Sequence, residues 1–123
     1  MALRRKTPVE ALSIEQIEKV ALECRGLLEE KKGTDVAILD LRSIHTEFDF
    51  FIIVTGNSRL HCRSLARELS RLMSSRKLKQ VYSGSTDSEW VILDYGDIVL
   101  HVFTAEARSY YNLEKLWSDA KRL

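Results

Sequence analysis

The sequence predicts a single α/β domain in which a mixed β-sheet of about five strands is covered by helices. Three observations carry that expectation. Two apolar, β-branched runs, "VAILDL" (36–41) and "FDFFIIVTG" (48–56), stand between amphipathic helical segments. Two further runs form a hairpin in "WVILDYGDIVLHVF" (90–103). Helical periodicity appears before, between and after these strands, which is the pattern of a sheet buried by helices. With 123 residues, the chain suits one domain with a real core.

The elements follow in order. Residues 1–11 are expected to be a flexible N-terminal tail, and 12–123 the folded domain. Ser13 is a candidate N-cap with Gln16 at the capping-box spacing, and Leu12 and Ile17 sit where a hydrophobic staple would place them. Ile14, Ile17, Val20, Ala21, Cys24, Leu27 and Leu28 form the stripe of a first helix, with Gly33 as its terminator. After the two strand runs, "GNS" (56–58) turns the chain and offers Asn57 or Ser58 as the next cap. Cys62, Leu65, Ala66, Leu69, Leu72 and Met73 give a second helix its buried face. "QVYSG" (80–84) is a weaker strand, the hairpin follows, and a last helix carries Tyr110, Leu113, Trp117 and Ala120 on one stripe.

The hairpin raises a question of charge. With a two-residue Tyr95-Gly96 loop, Asp94 faces Asp97, and the pairs run Leu93–Ile98, Ile92–Val99, Val91–Leu100 and Trp90–His101. Like charges directly opposite each other are destabilising. Alternation puts Val91, Leu93, Ile98, Leu100 and Val102 on one face and Trp90, Ile92, Asp94, Asp97, Val99, His101 and Phe103 on the other. The bland reading makes the acids solvated turn residues, since Asp is common in turns. The functional one makes this end of the hairpin a docking site for a basic partner, with Trp90 as an anchor.

Charge is unevenly spread along the chain although the formal net is +1. Residues 59–79 hold seven cations against one acid, and residues 86–120 hold seven acids against two cations. Arg59, Arg63, Arg67 and Arg71 recur every four residues and so form one helical stripe, either a solvated face or a candidate RNA contact. The acidic C-terminal third favours a basic protein as the principal partner.

Several classes are disfavoured. His45, His61 and His101 lie far apart, and no nucleophile sits in a recognisable motif. "TGNS" lacks the glycines and lysine of a phosphate loop. No spacing of His or Cys suggests a metal, so neither cofactor nor catalysis is expected. Two cysteines are too few for a disulfide framework, and no run approaches the ~18 apolar residues of a membrane span. A soluble cytoplasmic protein without a membrane partner is expected; an organelle transit peptide stays an open alternative.

Four blocks, "DVAILDLRS", "FDFFIIVTGNS", "WVILDYGDIVLHVF" and "EARSYYNLEKLWSDA", resemble the ribosomal silencing factors, or Iojap family, in order and spacing over roughly residues 12–121. The resemblance implies a mixed-sheet domain shaped like the nucleotidyltransferases but without their catalytic acids. It implies a translational repressor that binds the large ribosomal subunit through its ribosomal protein number fourteen and sterically blocks association with the small subunit. Its matching positions make Trp90, Asp94, Tyr95, Asp97 and His101 the expected contact face, with Tyr110 and Tyr111 alongside. Ser83-Gly84 departs from the family's usual Glu-Gly pair, and His61 stands where Gln is common. A divergent nucleotidyltransferase-like enzyme and a general RNA-binding module using the Arg59–Arg71 stripe are the alternatives. A homodimer through the aromatic patch is a further expectation.

Overall fold

The computed structural model describes residues 12–44 and 47–123. The expected tail, residues 1–11, and His45 lie outside the described residues.

Helix α1 (Ile14–Glu30) begins as the sequence predicts. The Ser13 hydroxyl accepts from the Gln16 N–H, and the Gln16 side chain accepts from the Ser13 N–H, closing the capping box. Its end differs in mechanism. Lys32, not Gly33, takes the left-handed position at φ 71°. The Gly33 N–H then bonds to the Leu28 carbonyl at 2.7 Å and the Lys32 N–H to Glu29, a Schellman closure. Gly33 is needed for space: a Cβ there would lie 2.7 Å from Val54 Cγ2. Ile14 is exposed rather than part of the buried stripe.

Strands β1 (Thr34–Asp40) and β2 (Phe50–Gly56) pair antiparallel. Helix α2 (Arg59–Ser75) is capped by Ser58, whose side chain accepts from the His61 N–H. Gly56 lets α2 start close to β2, since a Cβ there would come within 2.7 Å of Cys62 Sγ. Short β3 (Tyr82–Ser83), then β4 (Trp90–Asp94) and β5 (Ile98–Thr104) follow. The sheet has six strands in the order β3-β4-β5-β2-β1-β6, one more than expected. The addition, β6 (Lys121–Arg122), pairs with the end of β1. Among the described residues only β2 and β5, at the centre, run parallel.

Two clusters sandwich the sheet. On the first face α1 and α2 cover Ile38, Phe50, Ile52, Val54, Val91, Leu93, Leu100 and Val102. On the second, Leu39, Phe51, Ile53, Val99 and Phe103 pack against Ala107, Leu113, Trp117 and Ala120 from the C-terminal segment. That segment is two short helices, α3 (Ala105–Tyr111) and α4 (Leu113–Leu116), not one. Asn112 adopts φ 45° between them and breaks the stripe. Leu113, Trp117 and Ala120 still face the sheet, whereas Tyr110 is turned out and 82% exposed.

The hairpin register also departs from expectation, by two residues. Asp94 pairs with Val99, Leu93 with Leu100, Ile92 with His101, Val91 with Val102 and Trp90 with Phe103. A shift of two leaves every side chain on its predicted face. It removes the facing aspartates, because Asp97 belongs to the loop. The Asp94 carboxylate accepts from the Gly96 N–H at 2.8 Å, Gly96 sits at φ 86°, and the Asp97 carbonyl accepts from the Asp49 and Phe50 N–H groups at the entry to β2. Pulled towards β2, Asp97 is not part of the β4–β5 ladder. The repulsion that a two-residue loop would impose does not arise.

Candidate functional site

The second face of the sheet is covered on one side only. α3, α4 and the residues after them lie over β1, β2 and the end of β5. Over β4 and β3 the same face is less covered: Trp90, Ile92 and Asp94 are half-buried, and Tyr82, paired with Asp94 and therefore on its face, is exposed.

Trp90 anchors this open half. Its ring stacks on Phe103 at a centroid distance of 5.0 Å and meets Tyr111 at 4.7 Å. Its indole N–H donates to Nδ1 of His101 at 3.1 Å. Tyr110 stands edge-on to Tyr111 at 5.0 Å. Beside the two tyrosines runs an open groove lined by Glu89, Ala105, Glu106, Ala107 and Ser109. Glu89 and Glu106 are both exposed, so the aromatic patch has an acidic border. Apolar anchors rimmed by charge are the anatomy of a protein-docking surface.

The predicted contact residues divide. Trp90, Tyr110 and Tyr111 come together at one end of β4. Asp94 is on the same face but at the far end of the strand, about 13 Å away at ~3.3 Å per residue. Three residues expected at the surface are instead inside. Tyr95 points through to the first core, where its hydroxyl reaches Ser70 Oγ and Gln80 Oε1, each at 3.4 Å. Asp97 is buried in the turn. His101 is 5% exposed beneath Trp90, with the Phe51 ring 4.6 Å away. These three support the face from below and do not present side chains to a partner. The physical reasons differ: Tyr95 reaches Ser70 and Gln80 on the first face, the Asp97 carbonyl is held by the N–H groups at the entry to β2, and His101 lies mid-sheet on β5 under Trp90 and Phe51.

His101 is electrostatically unusual. Burial pushes its imidazolium pKa down to about 3, so the ring is neutral near pH 7. Because Nδ1 accepts from Trp90, the proton sits on Nε2, which has no hydrogen-bond partner among the described residues.

Arg108 and Glu114, which no sequence pattern pairs, fix the corner between α3 and α4. The guanidinium grips the carboxylate through Nε and Nη2, both at 3.0 Å, and also donates to Thr55 Oγ1 and the Asp35 carbonyl. Arg122 joins the same carboxylate at 2.6 Å. The Arg108 contact holds the Glu114 carboxyl below its ordinary range. Periodicity reports neither residue, because the pair forms across a helix break.

The arginine row lies elsewhere. Arg59, Arg63, Arg67 and Arg71 are all exposed on α2, on the first-face side of the sheet. Arg59 meets Asp87 at 3.4 Å and Arg71 meets Glu68 at 3.4 Å. Among the described residues no group of three or more His, Cys, Asp or Glu is arranged to hold a metal ion, and no helix is long and apolar enough to cross a membrane. Cys24 and Cys62 are free and buried, and burial pushes the Cys24 thiol up to about 12.

Comparison with known proteins identifies the fold and its relatives. A family model described as ribosomal silencing factor during starvation matches residues 14–123. The ribosomal silencing factor of Bacillus subtilis is 39% identical over 93 residues, covering 75% of this chain and 79% of the relative. That of Halalkalibacterium halodurans is 38% identical over 94 residues, covering 76% and 80%. A crystal structure of a Chromobacterium violaceum protein superposes with a TM-score of 0.77 at 34% identity, covering 87% of this chain and 88% of that one. A mixed six-stranded sheet with this helix order, and a sequence match across nearly the whole domain, have one reading: the chain belongs to the ribosomal silencing factor family.

Proposed function

We propose that this protein represses translation by binding the large ribosomal subunit with the open half of its second sheet face, so that the small subunit cannot join. The observation that carries the proposal is the patch of Trp90, Tyr110 and Tyr111 bordered by Glu89 and Glu106. Its chemistry suits a basic protein surface, and ribosomal protein number fourteen is the partner proposed. Asp94, further along the same face, adds a second acidic contact. The action is steric: occupying the joining surface is sufficient, no bond is made or broken, and the site of action is the cytoplasm. Tyr95, Asp97 and His101 act in this proposal by holding the face in shape. A second copy of the chain is the competing occupant of the same patch.

The test is subunit joining. Purified small and large subunits are mixed with and without the protein and resolved on a density gradient. The expected result is fewer complete ribosomes, with the protein travelling with the large subunit. Tyr110→Ala, which removes an exposed ring, should weaken that co-sedimentation while leaving the melting temperature unchanged. Undiminished joining with no protein in the large-subunit fraction would overturn the proposal.

A further inference from the structure

Helix α2 has two flanks that are oriented by different neighbours. On one, His61 Nε2 donates to the Lys31 carbonyl at 2.9 Å and Arg76 grips Glu23, so this flank lies against α1. On the other, Ser70 receives the Tyr95 hydroxyl and Arg59 reaches Asp87 in the loop before β4. At 100° per residue, Arg59, Arg63 and Arg67 fall on or next to this second flank. Arg59 and Arg63 therefore face the β3–β4 edge of the molecule, the same edge at which the second sheet face is open, with Arg67 next to them and Arg71 turned away from it. It is a flank of the docking face, reached around one thin strand.

Arg59 has an exposed acid beside it, whereas Arg63 and Arg67 have no acidic partner among the described residues. Along α2 the surface around them holds Ser64 and Ser74, both exposed, and the exposed apolar side chain of Leu60, while Val81 and Tyr82 are exposed at the neighbouring edge strand. Helix α2 itself carries no Phe, Trp or Tyr, so the row lacks on its own helix what dominates protein–protein hot spots. Guanidinium and hydroxyl donors without an apolar centre are the donors that contact nucleic-acid phosphates.

We propose that Arg63 and Arg67 contact phosphates of ribosomal RNA beside the protein partner, making attachment bipartite. The aromatic, acid-bordered face meets basic protein, and the arginine flank meets RNA. This rests on the reading that the protein sits on the large subunit, and it adds a partner class to that reading. The division of labour also accounts for the uneven charge of the chain: the two halves of the binding surface face opposite charges.

The experiment measures affinity for purified large subunits across a series of salt concentrations. Four proteins are compared: the unmodified chain, Arg63→Gln with Arg67→Gln, Tyr110→Ala, and Lys19→Gln with Lys31→Gln as a charge-matched control on α1. Losing two phosphate contacts should lower the slope of log affinity against log salt by about 1.4 to 1.8. Affinity at low salt should fall about tenfold or more, while the α1 control and Tyr110→Ala keep the original slope. An unchanged slope in the arginine variant overturns the RNA contact and leaves the docking face standing. If the unmodified chain does not bind subunits, the docking reading fails, and a fluorescent RNA duplex at low salt decides the arginines separately. Arginine-dependent duplex binding retains the phosphate contact; absence of binding, or binding indifferent to the double variant, overturns it.

Discussion

Trp90 donates its indole N–H to Nδ1 of His101 at 3.1 Å, a diagonal contact across the β4–β5 pair. The bond uses up Trp90's only polar group inside the protein. What Trp90 offers a partner is therefore an apolar π-surface, held in orientation by His101 on one side and Phe103 on the other. Trp90→Phe keeps a ring but leaves His101 Nδ1 without its donor. Loss of one hydrogen bond, with the buried His101 acceptor stranded, should cost about 1–3 kcal/mol in denaturant unfolding. Stability unchanged by this substitution would mean that the bond does not constrain the ring.

His101 makes folding sensitive to acid. Its folded pKa, about 3, lies below the ordinary histidine value. As pH falls below about 6.5 the unfolded chain takes up a proton that the folded protein refuses, so stability drops until pH reaches the folded value. Between pH 7 and pH 5 this residue alone should remove about 2 kcal/mol. His101→Gln retains an acceptor for Trp90 and abolishes the titration. Unfolding curves of the variant should lose that part of the pH dependence; curves parallel to those of the unmodified protein would refute the buried, neutral assignment.

Glu114 carries a different acid sensitivity. Arg108 and Arg122 hold its carboxyl below the ordinary range. The stability it contributes is present above the unfolded carboxylate pKa, near 4.3, and is lost as pH falls through the lowered folded value. Glu114→Gln leaves the Arg108 guanidinium, largely buried at the α3–α4 corner, without its countercharge. A loss of about 1–3 kcal/mol near pH 7 is expected. Because α3 presents Tyr110 and Tyr111, large-subunit binding should weaken as well; intact stability would show that the corner is held by Trp117 and Leu113 packing instead.

What could be read in the sequence was whatever depends on local pattern. The capping box at Ser13–Gln16, the staple of Leu12 and Ile17, and the buried face of α2 all follow from spacing within a few turns. The two faces of the hairpin were legible too, since period-2 alternation survives a register shift of two. The register itself was not legible: it is set by the Asp97 carbonyl bonding to Asp49 and Phe50, almost fifty residues away. The same holds for Tyr95, which looks like a turn residue but is drawn into the core by contacts on α2. Asn112 breaks the last helix because Arg108 and Glu114 lock the corner, a tertiary contact that overrides helical periodicity. In the candidate site, Trp90, Tyr110 and Tyr111 were legible as aromatics in an acidic region. Tyr82 was missed because β3 is two residues long and carries little pattern.

Asp94 has two roles that one substitution can separate. Its carboxylate holds the Gly96 N–H at 2.8 Å, which shapes the turn, and its charge lies on the open face. Asn keeps a side-chain oxygen for the turn and removes the charge, since Asn and Asp both form such local bonds. Ala removes both. Asp94→Asn should therefore change stability by no more than ~0.5 kcal/mol, while Asp94→Ala loses about 1 kcal/mol. If the acidic face meets a basic partner, both should weaken large-subunit binding to a similar extent, with the loss shrinking as salt is raised. Should Asp94→Asn bind as tightly as the unmodified chain while Asp94→Ala binds poorly, the aspartate serves the turn alone. The docking contact would then contract to the cluster around Trp90.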